Sequence, residues 1–437
     1  MVPVVAGSIP VDRPSISLFS AECRLRIVAA SLAVSFLIAS PAHAADPVAP
    51  PAADVARAPP APIIVGGIYP TTGAGSDARN AVATALDIIN GKHERLQVVM
   101  GTGDGLERLG GAKLSVILAD DGEDPEKAAV AAEHLIVDEH ATALVGGLSD
   151  NVAAAISRIA EKHGVPFLSL DSAMTNTGGL AWFFRIGRTP TNDARSMLRM
   201  LAAIASANGQ TVQTVALVVE DSTAGHARAA AVRVAGEAVG LKMVEVPVPA
   251  ESPSLDTTVQ AVTAAVPNVV LVALNGDQEP MLLARLAASG VGPLVLTQRG
   301  ETNVETDGVF RSISYTADPI PARPGVSDVD AAFKARAGKP LTTMTAREIT
   351  GVLLLADVIN RAASTKPIDL RTALMATDTP GSETLMLWDG IRFDDSGQNV
   401  LATPALQQVQ HGAFQTVAPD AIAVAAPVWP AKKDAAK

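Results

Sequence analysis

The chain has 437 residues, 48% of them apolar and only 3% aromatic, enough to bury the cores of two ordinary domains. A formal net charge of −11 argues against nucleic acid as a partner, because phosphates require a basic face. The single cysteine, Cys23, precedes the first apolar run, so disulfides, thiolate metal sites and a cysteine nucleophile are excluded from any chain processed after that run.

Arg24 and Arg26 lead into an apolar stretch from Ile27 to Ala39, and Ala42-His43-Ala44 supplies the small-x-small pattern of a signal-peptidase site. Residues 1–44 are therefore expected to be a signal peptide that releases Ala45 onward into the periplasm. The apolar stretch is far short of the ~20 residues a spanning helix needs, so no stable membrane insertion is expected after cleavage. Residues 45–62, ADPVAPPAADVARAPPAP, read as an extended Ala/Pro linker with little to bury.

From Ile63 onward, short β-branched runs alternate with amphipathic stretches, the pattern of parallel sheets covered by helices. Strands are expected at 63–69, 113–120, 143–147 and 166–170, with helices at 77–90, 125–139 and 150–162. Asp124-Pro125-Glu126 opens the second of these helices with a cap, a proline at the first helical position and an early acid. After Thr189-Pro190-Thr191 the alternation begins again. Helices are expected at 192–207, 223–239, 255–265 and 278–289, and strands at 214–220, 241–248, 268–274 and 293–297. A Pro-rich stretch at 318–325 leads to helices near 328–337 and 345–363, which can return to the first lobe. Residues 382–399 read as short strands around turns, 405–410 as a strand, and the sequence from Ala418 as an Ala/Pro-rich tail.

Several segments in this order resemble a known family. They are VGGIYPTTG, LGGAKLSVILADDGEDPEKAAVAAEHLI, LVGGLSDNVAAAISRIAEKHGVPFLSLDSA, FRIGRTPTNDA and WDGIRFDDSGQN. Together with the export signal they resemble the leucine/isoleucine/valine-binding family of periplasmic substrate-binding proteins, over roughly 63–417. The resemblance implies an α/β fold of two doubly wound parallel-sheet lobes joined by three crossovers, near 187–190, 314–319 and 386–392. The first lobe would comprise 63–187 plus 318–388, the second 188–317 plus 389–417, and 418–437 would be the tail. It further implies a non-catalytic protein without cofactor or metal, closing over a small-molecule ligand and delivering it to an inner-membrane ABC permease.

The resemblance also implies site residues. The family's carboxylate-binding hydroxyl at the start of the third helix falls on Asp150, flanked by Ser149 and Asn151. The loop after the fourth strand contributes Asp171, Ser172 and Ala173. The family's acid for a ligand ammonium falls on Arg299, and positions of covering aromatic residues fall on Ala224 and Asn275. Two unit charges ~4 Å apart interact by roughly 4 kcal/mol at an effective dielectric of about 20, so Asp150 would repel a ligand carboxylate. Asp150 can serve as the helix N-cap or as a contact for a ligand's donor group. Asp171 and Ser172 can be turn residues or ligand contacts, and Arg299 a solvated loop charge or a bidentate anion receptor.

Other features are plainer. GTGDG (101–105) lacks the third glycine of a dinucleotide fingerprint and reads as a polar insertion. His134 and Asp138 share a helical face but suggest no further metal ligand, and no nucleophile elbow or P-loop occurs. Trp182 and Trp388 are expected to pack near crossovers, and Trp429 to lie in the tail. The expected function is binding of a small polar metabolite (amino-acid-like, amide or organic acid) for import. The alternative is an accessory or sensor protein that uses the same clamp on a protein partner.

Overall fold

The computed structural model describes residues 60–170, 177, 179–249, 255–274, 278–296 and 307–429. The expected signal peptide and most of the linker lie outside them. A first sheet is built from β1 (Ile63–Ile68), β2 (Leu114–Ala119), β3 (Leu144–Gly146), β4 (Phe167–Ser169) and β5 (Phe183–Arg185), all parallel, in the order β2-β1-β3-β4-β5. Strand alternation sends neighbouring residues to opposite layers. Leu144, Phe167 and Phe183 join a core with α2 (Pro125–Val137) and α3 (Asp150–His163). Val145, Leu168 and Phe184 face the other layer, where α1 (Ala74–Asn90) lies. Both layers are apolar, which is why these strands read as continuous hydrophobic runs. The start of α2 follows its sequence signal: the Asp124 side chain accepts from the Glu126 and Lys127 amides at 2.8 and 3.0 Å, and Pro125 takes the first helical position.

The second sheet repeats the plan. Its elements are α4 (Pro190–Ala207), β6 (Thr214–Glu220), α5 (Thr223–Glu237), β7 (Lys242–Val248), α6 (Asp256–Ala264), β8 (Val269–Ala273), α7 (Gln278–Ser289), β9 (Leu294–Leu296) and β10 (Phe310–Ile313). Val215, Leu217 and Val219 pack toward α4 and α5, and Ala216 and Val218 toward α6 and α7.

The chain then returns to the first core. There α8 (Gly325–Ala337) and α9 (Thr343–Ala362) lie against α1, and α10 (Pro367–Met375) against α9. The α10 helix has no counterpart in the sequence expectations. It is nine residues long, starts at a proline and buries only Leu370, Ala373 and Leu374, too short a stripe to stand out from the surrounding loop. At the expected short strands of 382–399 the structure pairs β11 (Thr379–Pro380), just before that range, with β12 (Gly390–Ile391), and adds isolated bridges Phe393–Asn399 and Arg185–Gln398.

Finally β13 (Ala405–Gln410) and β14 (Ala413–Ala418) extend the second sheet, in the order β14-β13-β10-β9-β8-β6-β7. Both join antiparallel, so this sheet is mixed, not wholly parallel. The expected tail also needs correction through residue 429. Val424 donates to the Thr416 carbonyl at 2.8 Å, Val428 donates to Gln408 Oε1 at 2.8 Å, and Trp429 lies 6.4 Å from the Phe310 ring. Its Ala/Pro composition, with no helical or strand periodicity, concealed a segment whose backbone groups are satisfied by the buried Gln408 side chain and the edge of β14.

Three passages link the sheets: β5 to α4, β10 to α8, and β12 to β13. Buried polar side chains hold them. Arg323, 7% exposed, donates to the carbonyls of Gly381, Met386 and Trp388, and burial pulls its guanidinium down to about 10. The Asn399 amide nitrogen donates to the Ile186 and Gly390 carbonyls, tying the first passage to the third. Ile391, Phe393 and Ala402 belong to the core around α1 and α9.

Candidate functional site

In an open α/β sheet, ligands bind beyond the carboxyl ends of the strands where strand order reverses. Those points fall between β1 and β3 in the first sheet and between β6 and β8 in the second. The loop after β3 depends on glycine. Gly146 has φ +124°, and a Cβ built there would lie 2.2 Å from the Ile68 carbonyl oxygen, so only glycine lets β3 turn against β1.

That turn delivers Ser149, Asp150 and Asn151 to the surface at the start of α3, all three exposed. Asp150 is not the N-cap. Ser149 takes that position, without a side-chain capping bond, and Asp150 is the first helical residue. Its negative charge instead favours the charged form of Arg185, which burial pulls down from its ordinary value. Arg185 ends β5 and is only 1% exposed. Register makes the meeting possible, since Gly146, Ser169 and Arg185 lie in one row across β3, β4 and β5. The sequence reading missed Arg185 because FFR looks like any strand end. The arginine after two phenylalanines was the available signal.

The loop after β1 carries a second buried polar group. The Tyr69 hydroxyl, 0% exposed, donates to Glu348 Oε2 at 2.7 Å. Glu348 sits on α9, is itself fully buried, and its Oε1 has no hydrogen-bond partner. Burial pushes its carboxyl up to about 7, against the opposing effects of the Tyr69 hydrogen bond and the Arg347 charge. Arg347, half-buried beside the first crossover, is pulled down to about 10 by burial. Arg79 of α1 clamps the neighbouring loops, donating to the carbonyls of Tyr69, Pro70 and Ala119 at 2.7 to 3.0 Å. None of these four was singled out from sequence. The adjacent charged pair Arg347-Glu348, just before the largely apolar run 349–356 of α9, was the signal for two of them.

On the second sheet, Ser222 caps α5 by accepting from the Gly225 amide at 3.1 Å. His226 stands between two carboxylates, Glu245 at 2.7 Å and Asp221 at 3.0 Å, and those hydrogen bonds raise its pKa, Glu245 contributing more. Ala224 is the second residue of α5. At the first crossover Arg188 pairs with Asp193, and Ser312 of β10 hydrogen-bonds to both. Asp171, Ser172, Ala173, Asn275 and Arg299 lie outside the described residues, so the structure brings only Ser149, Asp150 and Asn151 together among the expected contacts on the first sheet.

His134 Nδ1 and Asp138 Oδ2 are hydrogen-bonded at 2.7 Å, and among the described residues no cluster of three or more His, Cys, Asp or Glu could hold a metal. Among those residues no helix is long and apolar enough to cross a membrane. Residues 101–105 form turns between α1 and β2.

Comparison with known proteins agrees with this architecture. A model of a family described as periplasmic binding protein matches residues 62–413. The Leu/Ile/Val-binding protein homolog 8 of Brucella abortus (strain 2308) is 24% identical over 386 residues, covering 82% of this chain and 91% of the relative. Homolog 7 of the same organism is 24% identical over 387 residues, covering 83% and 93%. Among solved structures, a putative branched-chain amino acid ABC transporter protein from Rhodospirillum rubrum superposes with a TM-score of 0.67 at 22% identity, over 82% of this chain and all of that one. An ABC transporter substrate-binding protein from Desulfitobacterium hafniense in complex with Leu gives 0.61 at 19% identity, over 81% and 99%. With two sheets of matching strand order and a family match across nearly all the described residues, this chain belongs to the periplasmic binding protein family.

Proposed function

We propose that the protein is the periplasmic solute-binding component of an ABC importer and grips a small polar metabolite, amino-acid-like, amide or organic acid, between its two lobes. The observation that carries this reading is the family match over 62–413 on a chain whose two sheets repeat one topology, each offering its switch point to a ligand. The names of the relatives, Leu/Ile/Val-binding homologs and branched-chain amino acid transporter proteins, support an amino-acid-like solute. In this reading the ligand meets Ser149, Asp150 and Asn151 on one lobe, with Asp171, Ser172 and Ala173 beside them, and Ala224, Asn275 and Arg299 on the other. Asp150 faces a donor group of the ligand, since its charge opposes a carboxylate there. The first lobe takes 63–187 and the returning helices. The packing of Ile391, Phe393 and Ala402 favours placing the third crossover after residue 402, later than the sequence alone suggests. The inner-membrane permease is the macromolecular partner, and no catalysis is assigned.

The test is thermal unfolding of the mature protein with amino acids, their amides and organic acids. A ligand at about 100 times its Kd adds about 2.7 kcal/mol, a rise of several degrees in Tm. No shift across the panel would refute solute binding and leave the accessory or sensor role.

A further inference from the structure

We propose that His226 is a proton-operated clasp on the second lobe: as an imidazolium it ties the loop after β6 and the first turn of α5 to β7, and its deprotonation frees Asp221 and loosens the grip on the solute. This assigns a regulation to the binding site described above and rests on the solute-binding reading.

The clasp joins three elements. Asp221 directly follows β6, His226 is the fourth residue of α5, and Glu245 lies on β7, paired with Leu217 of β6. The imidazole reaches both carboxylates, Nδ1 to Glu245 Oε1 at 2.7 Å and Nε2 to Asp221 Oδ1 at 3.0 Å. An ionised carboxylate only accepts hydrogen bonds, and a neutral imidazole has one N–H to give. Both contacts at once therefore belong to the protonated ring, and the carboxylates hold its pKa above the ordinary value, Glu245 more than Asp221.

Loss of the proton does not open both arms equally. Glu245 has the shorter bond and also accepts from Arg233 at 3.1 Å, so it keeps the remaining N–H. The other ring nitrogen then turns a lone pair toward Asp221, acceptor against acceptor, and that arm is released. What it releases borders the cleft. Asp221 stands between the carboxyl end of β6, one strand of the switch point, and Ser222, the cap of α5. Ala224, a position of the proposed site, belongs to the same helical turn. Backbones are close here: a Cβ built on Gly225 would lie 2.1 Å from the Glu220 carbonyl oxygen, so a shift of the turn is felt at the end of β6.

The other charges nearby do not replace the proton. Arg228 of α5 lies 3.5 Å from Glu220, and Lys242 is on the opposite face of β7 from Glu245 by strand alternation. Among the described residues, α4 also packs on α5 but contributes no charge to His226. The His226 and Asp221 side chains are 47% and 51% exposed, so bulk protons reach the clasp and its effect is modest in size.

Amide hydrogen exchange and imidazole NMR shifts of the mature, unliganded protein, followed from pH 5.5 to pH 9, test the clasp. The Gly225 and His226 amides donate to the Ser222 hydroxyl and carbonyl. Their protection should fall roughly two- to fivefold as His226 loses its proton, while that of Ala238 at the far end of α5 holds. The fall should vanish in His226→Gln, and also in Asp221→Asn, because a carboxamide can bond to the neutral ring. Glu348 titrates near 7 in wild type and variants alike, so their comparison isolates the clasp. Constant protection in wild type, readable even if a variant fails to fold, overturns the proposal, and so does an equal fall in His226→Gln. Isothermal titration with L-leucine, L-glutamine and 2-hydroxy-4-methylpentanoate at pH 6 and pH 8.5 tests the regulation. A solute that binds should do so roughly two- to fivefold more weakly at pH 8.5 in wild type, and equally at both pH values in His226→Gln. Binding without that dependence overturns the regulatory step and leaves solute binding intact. Binding of none of the three overturns the solute-binding reading and the regulatory step together, and the exchange result still decides the clasp.

Discussion

Replacing Glu348 by glutamine should remove most of the pH dependence of stability between pH 5 and pH 8. In the folded protein the Glu348 carboxyl titrates near 7, against 4.5 for the ordinary group, because burial disfavours its charge more than Tyr69 and Arg347 favour it. The folded state therefore binds the proton more tightly than the unfolded chain does. Stability from this group is complete below about pH 4.5 and is lost as pH rises toward 7. The difference corresponds to about 3 kcal/mol, most of it lost between pH 5 and pH 8. Glutamine keeps an acceptor for the Tyr69 hydroxyl and has no charge to bury. Urea unfolding of both proteins at half-unit intervals of pH reads the effect, and the wild-type minus variant difference should change by roughly 2 to 3 kcal/mol across that range. A difference that stays constant with pH would refute the account, whatever its size, since constant offsets reflect packing and not protonation.

Two further outcomes follow from the strand ends. Gly146→Ala places a methyl group 2.2 Å from the Ile68 carbonyl oxygen at φ +124°, so a loss of roughly 2 to 4 kcal/mol is expected by thermal or urea unfolding, and an unchanged midpoint would contradict the glycine requirement. Asp150→Ser removes the charge near Arg185 from an exposed position, so about 1 kcal/mol of stability should be lost. The same substitution should raise affinity for carboxylate-bearing ligands at α3, read by titration. Unchanged ligand preference would restrict Asp150 to supporting Arg185.

Much of the fold was legible before any coordinates. Continuous β-branched runs between amphipathic stretches placed β1, β6 and β8 and the helices around them within a few residues, because burial on both faces imposes that pattern locally. Asp124-Pro125-Glu126 announced α2 for the same reason: a cap acts within three residues. The candidate site was legible only in outline. Position along the chain brought Ser149, Asp150 and Asn151 to a strand end, but the N-cap shifted by one residue because the glycine pair sets where helical backbone begins. The α10 helix and the docked segment through Trp429 escaped notice because neither has a strong local signature.

The sequence by itself determined the alternation of strands and helices, the two successive α/β runs and an acidic chain with its one cysteine ahead of residue 45, since these follow from composition and short-range periodicity. Only the tertiary structure decided which charges meet. Tyr69 and Glu348 are 279 positions apart, and Asp150 meets Arg185 only because parallel register aligns β3, β4 and β5. A side chain's charge state depends on what burial takes from water and what partner it is given. Both are set by packing between distant segments, and no local pattern encodes them.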